Sequence, residues 1–124
     1  MGENKGYVRN TDEKGSINIS EEVIAVIAAA AASEVEGVYG LHASHGKEIA
    51  QVTGKRWRTR GVRISADGDD ITIDVQIMAE MGFAVNEVGA EVQKAVISAV
   101  EAAAGITVTA VNVHVCGISL KRVK

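Results

Sequence analysis

The sequence predicts an α+β fold: a two-layer sandwich with a small mixed or antiparallel sheet and two helices on one face, in the order (β)-α-β-β-α-β. Three observations carry this. Val62-Arg63-Ile64-Ser65-Ala66 and Ile71 to Ile77 alternate apolar and polar residues on either side of Asp67-Gly68-Asp69-Asp70, the pattern of a half-buried hairpin with a tight turn. Two longer segments space their apolar residues at helical intervals, and each ends at a glycine, Gly37 or Gly105. The outward strand positions Arg63, Ser65, Thr72, Asp74 and Gln76 are polar, so the helices have one apolar sheet face to cover.

The elements follow in order. Residues 1–14 are polar and aperiodic, and read as a flexible N-terminal tail. Ile17-Asn18-Ile19 alternates and predicts a short strand. Ser20 suits an N-cap, with Ile19 and Ile24 at hydrophobic-staple spacing and Glu21 and Glu22 at the positive end of the helix dipole. The first helix is predicted to run to about Glu36 and to bury Val23, Ile24, Ile27, Ala31 and Val35. Gly37-Val38-Tyr39-Gly40 reads as its C-cap followed by a turn. Residues 42–59 form a long connection. After the hairpin, Met81 to Val85 is a linker. Asn86 then caps a second helix with Val88, Val92, Val96, Ala99 and Ala103 inward.

In the last strand Ile106 and Val108 fall on one face, and Val111, Val113 and Val115 on the other. A β-bulge near Thr109–Ala110 would reconcile them. Residues 15–120 therefore make a single α+β domain, followed by a basic C-terminal tail at 121–124. If the Ile17 strand joins the sheet, the order is that of a ferredoxin-like split βαβ. If it does not, an α-β-β-α-β sandwich akin to KH-type modules results.

Composition narrows the function. The chain has 124 residues, 47% hydrophobic but only 3% aromatic, so valine, isoleucine and alanine must build the core. That disfavours a deep ligand pocket, since such pockets are commonly lined by aromatic groups. A net charge of −3 gives no global case for nucleic acid. Cys116 is the lone cysteine, which excludes an internal disulfide and fits a reducing cytoplasm. The longest apolar run, Val23 to Ala32, is too short to span a bilayer, which takes about 20 residues.

One local asymmetry stands out. Lys55-Arg56-Trp57-Arg58-Thr59-Arg60-Gly61-Val62-Arg63 holds five cations in nine residues, leaving eight basic against sixteen acidic side chains elsewhere. Such a stretch suits an acidic protein surface or phosphates, with Trp57 free to stack. It also suits a solvated loop paired with Asp67, Asp69 and Asp70. Gly37-Val38-Tyr39-Gly40 has the GxxG form of a nucleic-acid clamp but no cation in its middle pair. His42, His45, His114 and Cys116 are possible metal ligands, yet their spacing matches no zinc pattern. Cys116 among valines is expected to be a small buried hydrophobe. There is no P-loop, GxGxxG or GxSxG. No cofactor, metal or catalytic residue is predicted, and the protein is expected not to be an enzyme.

Several stretches together resemble the alkaline shock protein family of bacterial envelope stress response proteins. They are Gly15 to Val23, Ala28-Ala29 through Glu34-Val35-Glu36-Gly37-Val38, the basic run before Val62, Ile71 to Ile77, and above all Val92 to Gly105 with Val111-Asn112-Val113-His114-Val115. Met81 to Asn86 departs from the family pattern, lacking its tyrosine-glycine and proline. Ala103-Ala104-Gly105 replaces a more usual Thr-Gly ending, and the Trp57 loop is unusual.

The resemblance implies a cytoplasmic, non-enzymatic protein that self-associates. It implies recruitment to the inner face of the membrane by a small membrane-anchored partner, with no insertion of its own. The expected partner contacts are Lys55, Arg56, Trp57, Arg58, Arg60 and Arg63. The alternative is a small KH-like nucleic-acid-binding module.

Overall fold

Strand β5 (Asp70–Glu80) is the spine of the molecule, and its register explains the rest of the sheet. The computed structural model describes residues 7–42 and 61–120. Ahead of β5 come β1 (Tyr7–Asp12), β2 (Gly15–Ser20), α1 (Glu21–Ser33), β3 (Val38–Leu41) and β4 (Val62–Asp67). After it come α2 (Val85–Ala104) and β6 (Ala110–Ser119). The α+β architecture predicted from the sequence is present, with a mixed four-stranded sheet. β3 and β4 run antiparallel to β5, and β6 runs parallel to it.

β4 and β6 both pair with the 72–75 part of β5, so they lie on opposite edges. β3 and β6 both pair with 77–79, so β3 shares the β4 edge. The junction confirms this: the His42 amide donates to the Gln76 carbonyl at 2.8 Å, and the Gln76 amide donates to the Gly61 carbonyl at 2.7 Å. β3 and β4 are thus two pieces of one edge strand, laid end to end.

Ile71, Ile73, Val75, Ile77 and Ala79 of β5 are buried and alternate with half-buried Thr72, Asp74, Gln76, Met78 and Glu80. The apolar face meets Ile24, Ala28 and Ala32 of α1 and Val88, Val92, Val96 and Val100 of α2. The valines recur every fourth residue, so one stripe of α2 supplies its whole buried face. α1 packs on β3 and β4, and α2 on β6.

The hairpin is as predicted. Asp67 pairs with Asp70 around a two-residue turn in which Gly68 has φ +62°, a conformation that costs glycine nothing. Gly105 caps α2 in the left-handed region, also as predicted. Ser20 caps α1, its Oγ accepting from the Glu22 and Val23 amides at 3.0 and 3.3 Å.

Several expectations are corrected. Tyr7–Asp12, assigned to the tail, forms a strand that pairs with β2 through a two-residue turn; β2 therefore stays out of the main sheet. α1 ends at Ser33 rather than Glu36, because the Glu34 and Val35 amides turn to the Ala31 and Ala32 carbonyls and tighten the last turn. Its buried face is Ile24, Ala25, Ala28, Ala29 and Ala32, leaving Val23 half exposed. A run this uniformly apolar does not mark its own inner face, and the alanines go where α2 comes close. In α2, Val100 takes the inward place assigned to Ala99 and Ala103. Its N-cap is Ala84 rather than Asn86.

The parity problem of the last strand is also solved differently. β6 begins only at Ala110, after an irregular stretch in which Thr109 grips Ile71 twice. Its amide donates to the Ile71 carbonyl at 2.8 Å, and its Oγ1 accepts from the Ile71 amide at 3.1 Å. The bulge sits instead at Cys116, between the pairs Ile77–Val115 and Met78–Gly117. Gly117 lies against Met78, whose Cε would be 3.4 Å from a Cβ there, so the bulge brings a residue without a side chain beside a long one.

Candidate partner interface

Of the six residues expected to contact a partner, the structure places Arg63. Lys55, Arg56, Trp57, Arg58 and Arg60 lie outside the described residues, as do His45 and the 121–124 tail. What is described is the point where the basic stretch joins the fold. His42 and Gly61 both bond to Gln76, so residues 43–60 depart from and rejoin one edge strand at a single position of β5.

Arg63 is exposed on β4, and β4 alternation turns it to the sheet face that the helices leave open. There it stands opposite Asp74 on β5, which stands opposite Asn112 on β6. Asn112 Nδ2 donates to Asp74 Oδ1 at 2.9 Å, and His114 Nε2 lies 3.7 Å from the same oxygen. A polar row from three strands thus crosses the middle of the open face.

The GxxG candidate is corrected. Val38–Leu41 is a strand, hydrogen-bonded along β5 with Val38 buried in the core, so its amides do not form a clamp loop. Four residues are too few for alternation to show in the sequence. Cys116 is corrected too: it is exposed, with its Sγ 3.7 Å from the His114 carbonyl that accepts from it. Among the described residues no group of three His, Cys, Asp or Glu side chains is placed to hold a metal.

Sequence reasoning missed one feature. The Met81–Val85 linker exposes Met81 and Phe83, and Phe83 forms one end of an open groove of about 500 Å³ along α2. Phe83 is the only phenylalanine of the chain, which was the available signal.

The fold is that of a small α+β protein. The chain belongs to the alkaline shock protein 23 family, described as cell envelope-related in function, whose model matches residues 9–120. It is 33% identical over 104 residues to the uncharacterized protein YqhY of Bacillus subtilis, covering 84% of this chain and 77% of that one. It is 37% identical over 109 residues to the uncharacterized protein Spy1535 of Streptococcus pyogenes, covering 87% and 82%. Among solved structures, a MamM CTD variant is similar with a TM-score of 0.48 and 23% identity, covering 78% of this chain and 95% of that chain. A manganese form of MamM CTD is similar with a TM-score of 0.45 and 22% identity, covering 82% and 99%.

Proposed function

We propose that this protein is a non-enzymatic structural and interaction protein of the bacterial cell-envelope stress response. It self-associates and is held at the inner face of the membrane by a small membrane-anchored partner. Lys55, Arg56, Trp57, Arg58, Arg60 and Arg63 make the partner contacts. The observation that carries this is membership, over nearly the whole chain, of a family with a cell envelope-related function. Attachment through a partner fits a chain in which no described helix is long and apolar enough to cross a membrane. Placing the basic stretch at the partner contact fits its joining the sheet edge at one point, next to exposed Arg63.

The test is the position of a fluorescent fusion in the native bacterium, with and without Arg58→Glu and Arg60→Glu. The expected result is a peripheral ring that the double reversal disperses while the melting temperature stays unchanged. A diffuse or nucleoid distribution of the parent protein would overturn the reading.

A further inference from the structure

The groove along α2 has a composition that selects its occupant. Its apolar part is Val35, Phe83, Ala84, Val88 and Ala95. Its charged rim is Glu36, Glu87 and Glu91, with Lys94 as the only cation among its lining residues. Val88 is buried and Phe83 is partly open, so the floor is continuous with the core while one aromatic face stays in reach of solvent. Glu91 has Lys94 at 3.5 Å, an exposed pair of the kind that is readily exchanged for another partner. The lining positions of α2 run from Glu87 to Ser98, about 16 Å of helix at roughly 1.5 Å per residue. About five extended residues span that length at roughly 3.3 Å each.

An apolar floor with an acidic rim fits a short basic segment carrying one large apolar side chain. The chain contains such a segment: Arg56-Trp57-Arg58-Thr59-Arg60, whose single tryptophan is flanked by cations on both sides. We propose that the α2 groove of one copy receives the Lys55–Arg63 segment of a second copy, with Trp57 against Phe83 and the arginines against Glu36, Glu87 and Glu91. This rests on the reading of the protein as self-associating; within a row the basic segment is taken up by the neighbouring copy, and the segment left over at the end of the row is the one that meets the membrane-anchored partner.

The segment joins the fold at Gln76 on the β3–β4 edge, whereas α2 packs over β6 on the far side of β5. Docking of the segment into the groove of its own chain is an outcome of the test below, and would leave the parent monomeric. A contact between two different surfaces is heterologous, so it leaves one groove and one basic segment unused at the ends and propagates along a row of copies.

The experiment uses the full chain and two double variants. One is Glu87→Arg with Glu91→Arg; the other is Arg58→Glu with Arg60→Glu. Sedimentation velocity is recorded across a concentration series at low and high salt. The parent is expected to associate with rising concentration and to dissociate as salt screens the contact. Each double variant alone is expected to associate at least about tenfold more weakly while still unfolding in a single cooperative thermal transition.

Mixed in equal amounts, the two variants should associate again, because the reversed groove of one then meets the reversed segment of the other. A parent that stays monomeric overturns the proposal, as does association that neither variant weakens, or a mixture that fails to recover. Because the assay is made in solution, it is independent of where the protein sits in the cell. A dispersed fluorescent fusion would overturn the envelope reading while leaving the groove contact standing.

Discussion

Gly61 sits directly on the backbone of His42: a Cβ at position 61 would lie 2.8 Å from the His42 carbonyl oxygen and 3.2 Å from that of Gln76. The two residues are distant in sequence, yet both bond to Gln76 and close the seam between β3 and β4. Gly61 also has φ +92°, outside the range that L side chains favour. Position 61 is thus restricted twice, by conformation and by contact. The seam also fixes where the basic stretch joins the sheet.

Gly61→Ala should therefore destabilise the fold by roughly 1–3 kcal/mol, combining backbone strain with displacement of the His42 strand. Gly68→Ala is the matched control. Gly68 also has positive φ, but nothing lies within 4 Å of a Cβ there, so only the conformational part is lost. Urea unfolding of both variants checks this. Equal losses at the two positions would show that the contact with His42 contributes nothing.

Much of the fold was legible because its determinants are local. The β4–β5 hairpin declares itself by alternation around a two-residue turn, and Ser20 and Gly105 mark helix ends by chemistry confined to one turn. What was illegible depends on partners far away in the chain. Val38–Leu41 is a strand because β5 offers it an edge, and β1 is a strand because β2 does; neither has the length or patterning to say so alone. The inner face of α1 is set by where α2 packs, since Val23 to Ala32 is apolar all round. The bulge follows the juxtaposition of Gly117 and Met78. Of the site, the charge of 55–63 was visible, but the groove was not. Val35 and Glu87 become neighbours only when α1 and α2 pack.

The two helix N-termini differ in a testable way. Ser20 satisfies two amides of α1, whereas Ala84 has cap geometry, with φ −72° and ψ 119°, but no side-chain acceptor. Ser20→Ala should cost about 1 kcal/mol, within a range of roughly 0.5–2. Ala84→Ser should gain up to about 1 kcal/mol, because the backbone is already in place and only the oxygen is missing. Thermal or urea unfolding reads both changes. A loss at both positions would mean that Ala84 is held by packing against Phe83 more than by its role as a cap.

Cys116 offers a probe of β6. A thiol enclosed in the valine core would react with an aromatic disulfide reagent only when the domain opens, so its rate would follow unfolding. The bulge turns Cys116 out instead; the sulfur is exposed and makes a long hydrogen bond to the His114 carbonyl. The native protein should thus release one equivalent of the coloured thiolate at a rate proportional to reagent concentration and close to that of the urea-unfolded chain. A rate independent of reagent concentration would mean that β6 must open first, and would place Cys116 inside the sheet after all.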